Sequence, residues 1–417
     1  MDTGRWHVWL TWIAIGAASL LRPQLTSSHA ALQPASADQP DVSQPEPPDP
    51  AEFEEFGWKF VEAIWENDPK AANKLIDWVA ILDLATPNLG SSPMATRWRN
   101  EFYAGFKSAT DGPNGLPGRI SSYLQKGGDF TFLRTRNVDG HQRVILRQIQ
   151  AGGGVEYYDM VVKRGDDGVL RAVDIYVATS GEMLSDLLRR TILPALQNQL
   201  PNVLGKLSPA DRDYIQSLPA LRRMDKHLID DEPAQALEVY RSLPKSVRER
   251  KVALARRMQA ALNVDDEEYL AAIEDFRRLH PEDRSVDIIT IDWYTLKEDY
   301  DKAIEGVDRL DAQIGGDPYL QVLRGSLLFA QDKLDGAKAL ARIAIEEEPT
   351  LEDAYWLLVN ISLQQEDFTA TVELLNTLER ELEIEFEDLT TVEGYEEFVK
   401  SKQYRDWLAK RSVDSSN

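Results

Sequence analysis

The sequence predicts an α+β domain, in which helices pack on a four-stranded antiparallel sheet, followed by an all-α helical solenoid. Three observations carry this. Hydrophobic residues recur at helical spacing from Phe53 to Phe106, then alternate with period two from Asp129 onward, as a half-buried sheet requires. Between Ser285 and Glu383 one pattern occurs three times, as in a stacked repeat. Charge divides the chain near residue 205: residues 1–207 hold 20 basic and 24 acidic side chains, a balance of −4, whereas 208–417 hold 27 and 46, a balance of −19.

At 417 residues and 43% hydrophobic content the chain can bury two or three cores. It has no cysteine, which removes disulfides, thiolate catalysis, Cys-ligated zinc and iron–sulfur clusters. A formal charge of −23 opposes attraction to phosphate backbones, so nucleic acid is not an expected partner. The five histidines, His7, His29, His141, His227 and His280, fall in no HExxH pattern, and no phosphate loop or GxSxG occurs. No metal, cofactor or catalytic residue is therefore assigned. The acidic runs Glu346 to Glu348 and Glu381 to Asp388 lack the glycine and ligand spacing of a calcium loop and read as solvated surfaces.

Residues 1–30 read as a signal peptide. Arg5 precedes the 14-residue apolar run Val8 to Leu21, too short to span a bilayer, and Ser28-His29-Ala30 offers cleavage after Ala30. The mature chain is expected to be periplasmic or secreted, where a lack of thiols suits an oxidising compartment; an uncleaved anchor is the alternative. Residues 31–50 read as a Pro-rich disordered linker, with prolines at 34, 40, 45, 47, 48 and 50.

The α+β domain is expected over 51–205. Phe53, Phe56, Phe60, Ile64 and Trp65 mark a first helix; Leu75, Ile76, Val79 and Leu82 mark a second begun by Pro69; Trp98, Phe102 and Phe106 lie on a third over Ala95 to Ala109. Four strands follow at about 130–136, 141–149, 155–163 and 169–177, joined through Asp139-Gly140, Gly152 to Gly154 and Gly165 to Gly168. The last turn predicts Met160 opposite Val173 and Tyr158 opposite Ile175 on the buried face. The other face then holds Tyr157 opposite Tyr176 and Asp159 opposite Asp174, with Arg143 and Arg147 diagonal to Asp159. Opposed carboxylates need compensation. They form either an ion network with the arginines or a pair with one raised pKa, able to serve as an acid or base in a cleft.

Helices, a curved meander and a closing helix over Glu182 to Gln199 resemble, in element order alone, the nuclear-transport-factor-two-like cone family. That resemblance implies a pocket between helices and sheet for a small ligand, in a family rich in non-enzymatic members, and carries over no catalytic position.

Residues 208–383 are expected to be repeats. Gly325, Leu328, Leu334, Ala337, Ala341, Ala344 and Pro349 stand at the positions of the tetratricopeptide signature, and this half of the chain resembles that family. Tyr294, Tyr300, Ala303 and Leu310 form the copy before, and Tyr355, Leu358, Phe368 and Leu375 the copy after. Weaker units centre on Ala236, Tyr240 and Leu243 and on Tyr269, Ala272 and Phe276. Departures are Thr290 and Arg324 for a usual Leu, Thr371 for a usual Ala, and a junction lengthened by Gly315-Gly316. Residues 384–411, with Tyr395, Phe398, Tyr404 and Trp407, read as capping helices, and 412–417 as a disordered tail.

The tetratricopeptide resemblance implies a partner groove lined by Ile288, Asp292, Thr295, Tyr319, Val322, Ser326, Phe329, Asp353, Trp356, Asn360 and Gln364. It contains no Lys or Arg to grip a C-terminal carboxylate, so a basic or amphipathic protein segment is the expected occupant. The functional expectation is an exported, non-enzymatic scaffold with an N-terminal docking or ligand-binding domain. The alternative is a small-molecule-binding or isomerase-like enzyme using Asp159 and Asp174, with the repeats for self-association or targeting.

Overall fold

The computed structural model describes residues 49–414 except 87–92, 114, 151–153, 200–207, 263, 282, 284 and 387. The leader and nearly all of the Pro-rich linker lie outside the described residues, and so does the expected junction near 205. No described helix is long and apolar enough to cross a membrane. Two compact units result, with described parts 49–283 and 285–414.

The first unit opens with helices α1 (Pro50–Trp65), α2 (Pro69–Lys74), α3 (Trp78–Ala85), α4 (Pro93–Thr110) and α5 (Leu116–Leu124). Aspartates set their starts: the side chains of Asp49, Asp68 and Asp77 accept from the first-turn amides of α1, α2 and α3. The helix expected to run on from Pro69 is thus broken. Leu75 to Asp77 lie instead along a strand, with Asp77 N donating to Ala172 O at 2.8 Å and Ala172 N to Leu75 O at 2.8 Å. Helix α5 was concealed by its Pro117 and Gly118. The proline fits the first turn, and a Cβ on Gly118 would come within 2.6 Å of Gly112 O, so only glycine permits this close approach.

The sheet is antiparallel and runs in chain order: β1 (Asp129–Val138), β2 (His141–Ile149), β3 (Val155–Arg164), β4 (Leu170–Val177) and β5 (Glu182–Met183). It has five strands, not four, because Glu182 and Met183 pair with Val177 and Tyr176; helix α6 consequently starts at Leu184 and runs to Gln199. With Ile76 bridging Ala172, these residues cover the outer edge of β4, which would otherwise offer unpaired amides.

The β3–β4 register also differs from the expectation. Gly165 N bonds to Val169 O, so the connection is five residues long and Arg164 faces Leu170; a bulge at Val173 then shifts the pairing again. Met160 therefore faces Ile175 and Tyr158 faces Val177. From Asp174 onward the two one-residue shifts together restore the expected faces, but before the bulge the single shift turns Ala172 inward in place of the expected Val173. Tyr158, Met160, Ile175 and Ala172 point into the core, against Phe53, Phe56 and Phe60 of α1, Ile81 of α3, Ile120 of α5 and Ile192 of α6. Each such fully buried aliphatic or aromatic side chain contributes about 1.5–3 kcal/mol.

Helices α7 (Pro209–Ile229), α8 (Pro233–Ser242), α9 (Lys245–Arg248), α10 (Lys251–Leu262) and α11 (Asp266–Leu279) complete this unit. The change of charge near 205 does not coincide with the division of packing. Asp211 of α7 accepts from Arg189 of α6 at 3.1 Å and from Arg250 at 3.2 Å, and Lys251 Nζ donates to Gly181 O at 2.7 Å, tying these helices to the sheet.

The second unit contains α12 (Ser285–Leu296), α13 (Tyr300–Ile314), α14 (Pro318–Ala330), α15 (Leu334–Glu347), α16 (Glu352–Gln364) and α17 (Phe368–Glu381), each packed on its neighbours in sequence. Helices α13, α15 and α17 start 34 residues apart. Their turns repeat too: Glu298, Asp332 and Glu366 all adopt left-handed φ, followed by Asp299 N→Tyr294 O, Lys333 N→Leu328 O and Asp367 N→Ser362 O bonds of 2.9 Å. Ala303, Ala337 and Thr371 are fully buried at equivalent positions. Thr371 is tolerated because its hydroxyl bonds to Ser362 Oγ at 2.8 Å. At Gly325 a Cβ would meet Leu357 Cδ2 at 2.7 Å, so glycine lets α14 and α16 approach.

After a 3₁₀ turn (Leu389–Thr391), α18 (Glu396–Lys400) and α19 (Lys402–Asp414) close the chain; the last helix includes 412–414, which were expected in the tail. Tyr395, Phe398, Tyr404 and Trp407 pack with Tyr355, Val359, Leu375 and Leu378 in one buried cluster.

Candidate functional site

On the polar face of the sheet Asp159 faces Tyr176 and Asp174 faces Val161, so the two aspartates are diagonal, not opposed. The cause is the longer turn and the bulge. Arg143 and Arg147 do lie diagonal to Asp159, across from Val161 and Tyr157, and Arg143 reaches it, Nη1 to Oδ1 at 3.5 Å. Arg136 makes the closer contact, Nη2 to Asp159 Oδ2 at 2.7 Å. Arg147, fully buried beside buried Tyr157, donates to Asp129 at 3.1 Å.

Asp174 has a different neighbourhood. Its carboxylate accepts from Ser185 N at 3.0 Å and Ser185 Oγ at 2.5 Å, at the start of α6, and from Ile175 N at 2.9 Å. Burial raises its pKa above the ordinary value and the Ser185 bonds oppose the rise. Tyr176 donates to Asp283 at 3.3 Å, and Asp283 is paired with Lys251. Each aspartate is thus engaged by its own donors, which is the geometry of an ion network and a helix cap rather than a proton-sharing pair.

Sequence reasoning missed Arg136 although the signal was present. The two-residue Asp139-Gly140 turn, with φ of 52° and 77°, places Arg136 directly opposite Arg143. It also missed Glu156. This buried carboxylate accepts from Thr179 N at 3.0 Å, from the Thr179 hydroxyl and from Tyr157 N at 2.9 Å, clamping the turn after β4, and burial pushes its pKa up to about 7. No sequence pattern announces a buried glutamate whose partner is a turn threonine.

In the second unit the eleven groove residues occupy equivalent faces of α12, α14 and α16: Ile288, Val322 and Trp356 stand 34 residues apart, as do Asp292, Ser326 and Asn360. Ile288, Tyr319 and Val322 are buried; Asp292, Thr295, Ser326, Phe329, Asp353 and Trp356 are half-buried; Asn360 and Gln364 are exposed. Trp356 is engaged within its own unit. Its ring meets Phe386 edge-on at 6.0 Å, and Phe386 meets Trp407 at 6.0 Å, so the extended segment after α17 lies on it. Asp292 has no hydrogen-bond or ion-pair partner among the described residues, and burial alone pushes its carboxyl up to about 7. Residues 284–417 carry 30 acidic and 14 basic side chains, most of the chain's excess.

Among the described residues no group of three or more His, Asp or Glu is placed to hold a metal ion. No family model, curated protein or solved structure matches the chain.

Proposed function

We propose that this is an exported, non-enzymatic interaction protein whose second unit is an acidic solenoid of the tetratricopeptide type, gripping a basic or amphipathic protein segment. The observation that carries the reading is the helix face that Asp292 shares with Phe329 and Trp356: a half-buried carboxylate with no ion-pair partner among the described residues, on a face with half-buried aromatic rings, in a unit with about two acidic residues for every basic one. A cation placed there would satisfy it. The 34-residue recurrence of helix starts, left-handed turns and buried small residues supports the repeat type. The first unit, with helices on one face of an antiparallel sheet, serves for docking or ligand binding in the manner of the cone family.

Phe329 is the cleaner residue for a test, since Trp356 also supports the packing of Phe386. Capture from a cell-envelope extract on the full chain and on its Phe329→Ala variant should retain a protein on the first and lose it on the second. Equal retention removes the groove from the reading. The export part is checked by N-terminal sequencing of the mature chain, which should begin at Ala31.

A further inference from the structure

A second, oppositely charged site lies in the first unit, among α8, α9, α10 and α11. It is a cavity of about 340 Å³. Its floor is Tyr240, Leu254 and the nearly buried Arg257, whose guanidinium lies over the Tyr240 ring at 5.4 Å; Arg241, Lys245 and Arg278 stand at its rim. With Arg248 these make five cations around the space, against the three carboxylates of Glu249, Glu268 and Asp275. Residues 208–283 hold 13 basic and 16 acidic side chains, so so many cations round one hollow do not follow from composition.

The carboxylates are already used. Glu268 accepts from Arg257 at 2.8 Å and Arg241 at 3.2 Å; Asp275 accepts from Arg257 at 2.7 Å and Arg278 at 2.6 Å; Glu249 faces Lys245 at 3.7 Å. Arg248 is left over. Its guanidinium has no ion-pair partner among the described residues, and its Nε is buried without a hydrogen-bond acceptor. A buried donor without an acceptor carries a penalty that an incoming oxyanion would remove, and a guanidinium is shaped to hold such an anion through two parallel bonds.

We infer that this cavity binds a small organic anion through a phosphate or carboxylate group, with Arg248 as the primary contact, Lys245 as a second cation, and Leu254 and Tyr240 as the wall for its carbon skeleton. The volume falls in the range of small-molecule sites. Bound anion would complete the electrostatics of a site that has one cation in reserve. The inference does not depend on the groove of the second unit.

Isothermal titration of the full chain at low ionic strength, with inorganic phosphate and separately with succinate as probes, tests it. Saturable one-site binding of either is expected, weakening as salt rises; the probe that binds distinguishes a phosphate from a carboxylate ligand. Arg248→Gln should weaken binding by about tenfold or more, while Lys163→Gln, an equal change of charge on an exposed strand position, should leave it unaltered. The Arg248 guanidinium holds no ion pair among the described residues, so the variant should keep the wild-type circular dichroism spectrum and melting temperature. The inference is overturned if neither probe binds saturably at about 10 mM, where even a weak site fills, or if the two variants bind alike.

Discussion

Glu156 makes the stability of the first unit depend on pH in a direction opposite to most carboxylates. Burial raises its pKa from an ordinary 4.5 to about 7, even though Thr179 and the amide of Tyr157 bond to it. Because the folded chain holds this proton more tightly than the unfolded one, the stabilisation is complete below pH 4.5 and is lost as pH rises through 7. A difference of two to three pH units corresponds to about 3 kcal/mol of destabilisation at pH 8 relative to pH 4.5. Glu156→Gln removes the ionisation and keeps most contacts. The amide oxygen can accept from the Tyr157 and Thr179 amides, and the amide nitrogen can donate to the Thr179 hydroxyl. The variant should match wild type near pH 4.5 and exceed it by about 1–3 kcal/mol at pH 8, the lower figure allowing for weaker neutral hydrogen bonds. Urea unfolding at pH 4.5, 6 and 8, followed by tryptophan fluorescence, reads this difference, and all other titrating groups cancel between the two proteins. A difference that does not change with pH, or a variant less stable at pH 8, would refute the reasoning.

The cap should be costly to empty: Phe398→Ala removes a fully buried ring that meets Tyr395 and Tyr404 edge-on and Phe368 at a tilt, and should lower the stability of the second unit by about 3–5 kcal/mol in urea unfolding. Glu366→Gly relieves a left-handed residue at a helix end and should raise stability by about 1 kcal/mol, read as a higher melting temperature; an unchanged or lower melting temperature would contradict it. Asp174→Ala removes the acceptor for Ser185 N and Oγ and should increase amide exchange in the first turn of α6; unchanged exchange would show that Asp174 does not hold that helix start.

Much of this fold can be read from spacing, because the helical and strand periods dictate which side chains can be buried together. Phe53, Phe56 and Phe60 and the alternating strands from β1 to β4 are of this kind, as are the small residues at 303 and 337. What escaped depended on single local choices. Ile76 bridges a strand in the middle of an apparent helix because Asp77 caps a new one, and β5 is two residues long, too short to show a period. The β3–β4 register turned on whether one loop had four residues or five and on a bulge, neither of which alters composition. The site residues suffered most from this. An error of two places moved Asp174 from the partner of Asp159 to the cap of α6, while Arg136 entered from a strand that the reading had not connected to Asp159. In the groove, the period located the helix faces, but the folding of Phe386 onto Trp356 is a contact between segments with no shared pattern.

The central claim, that the acidic helical unit holds a basic segment, is tested most directly by fluorescence anisotropy. The full chain would be titrated into a labelled panel of amphipathic peptides of net charge about +4, with charge-reversed versions as controls. The account predicts saturable binding of basic peptides alone, weakened by salt and lost in Phe329→Ala with the circular dichroism spectrum unchanged. Equal binding of the reversed peptides, or binding indifferent to Phe329, would contradict it.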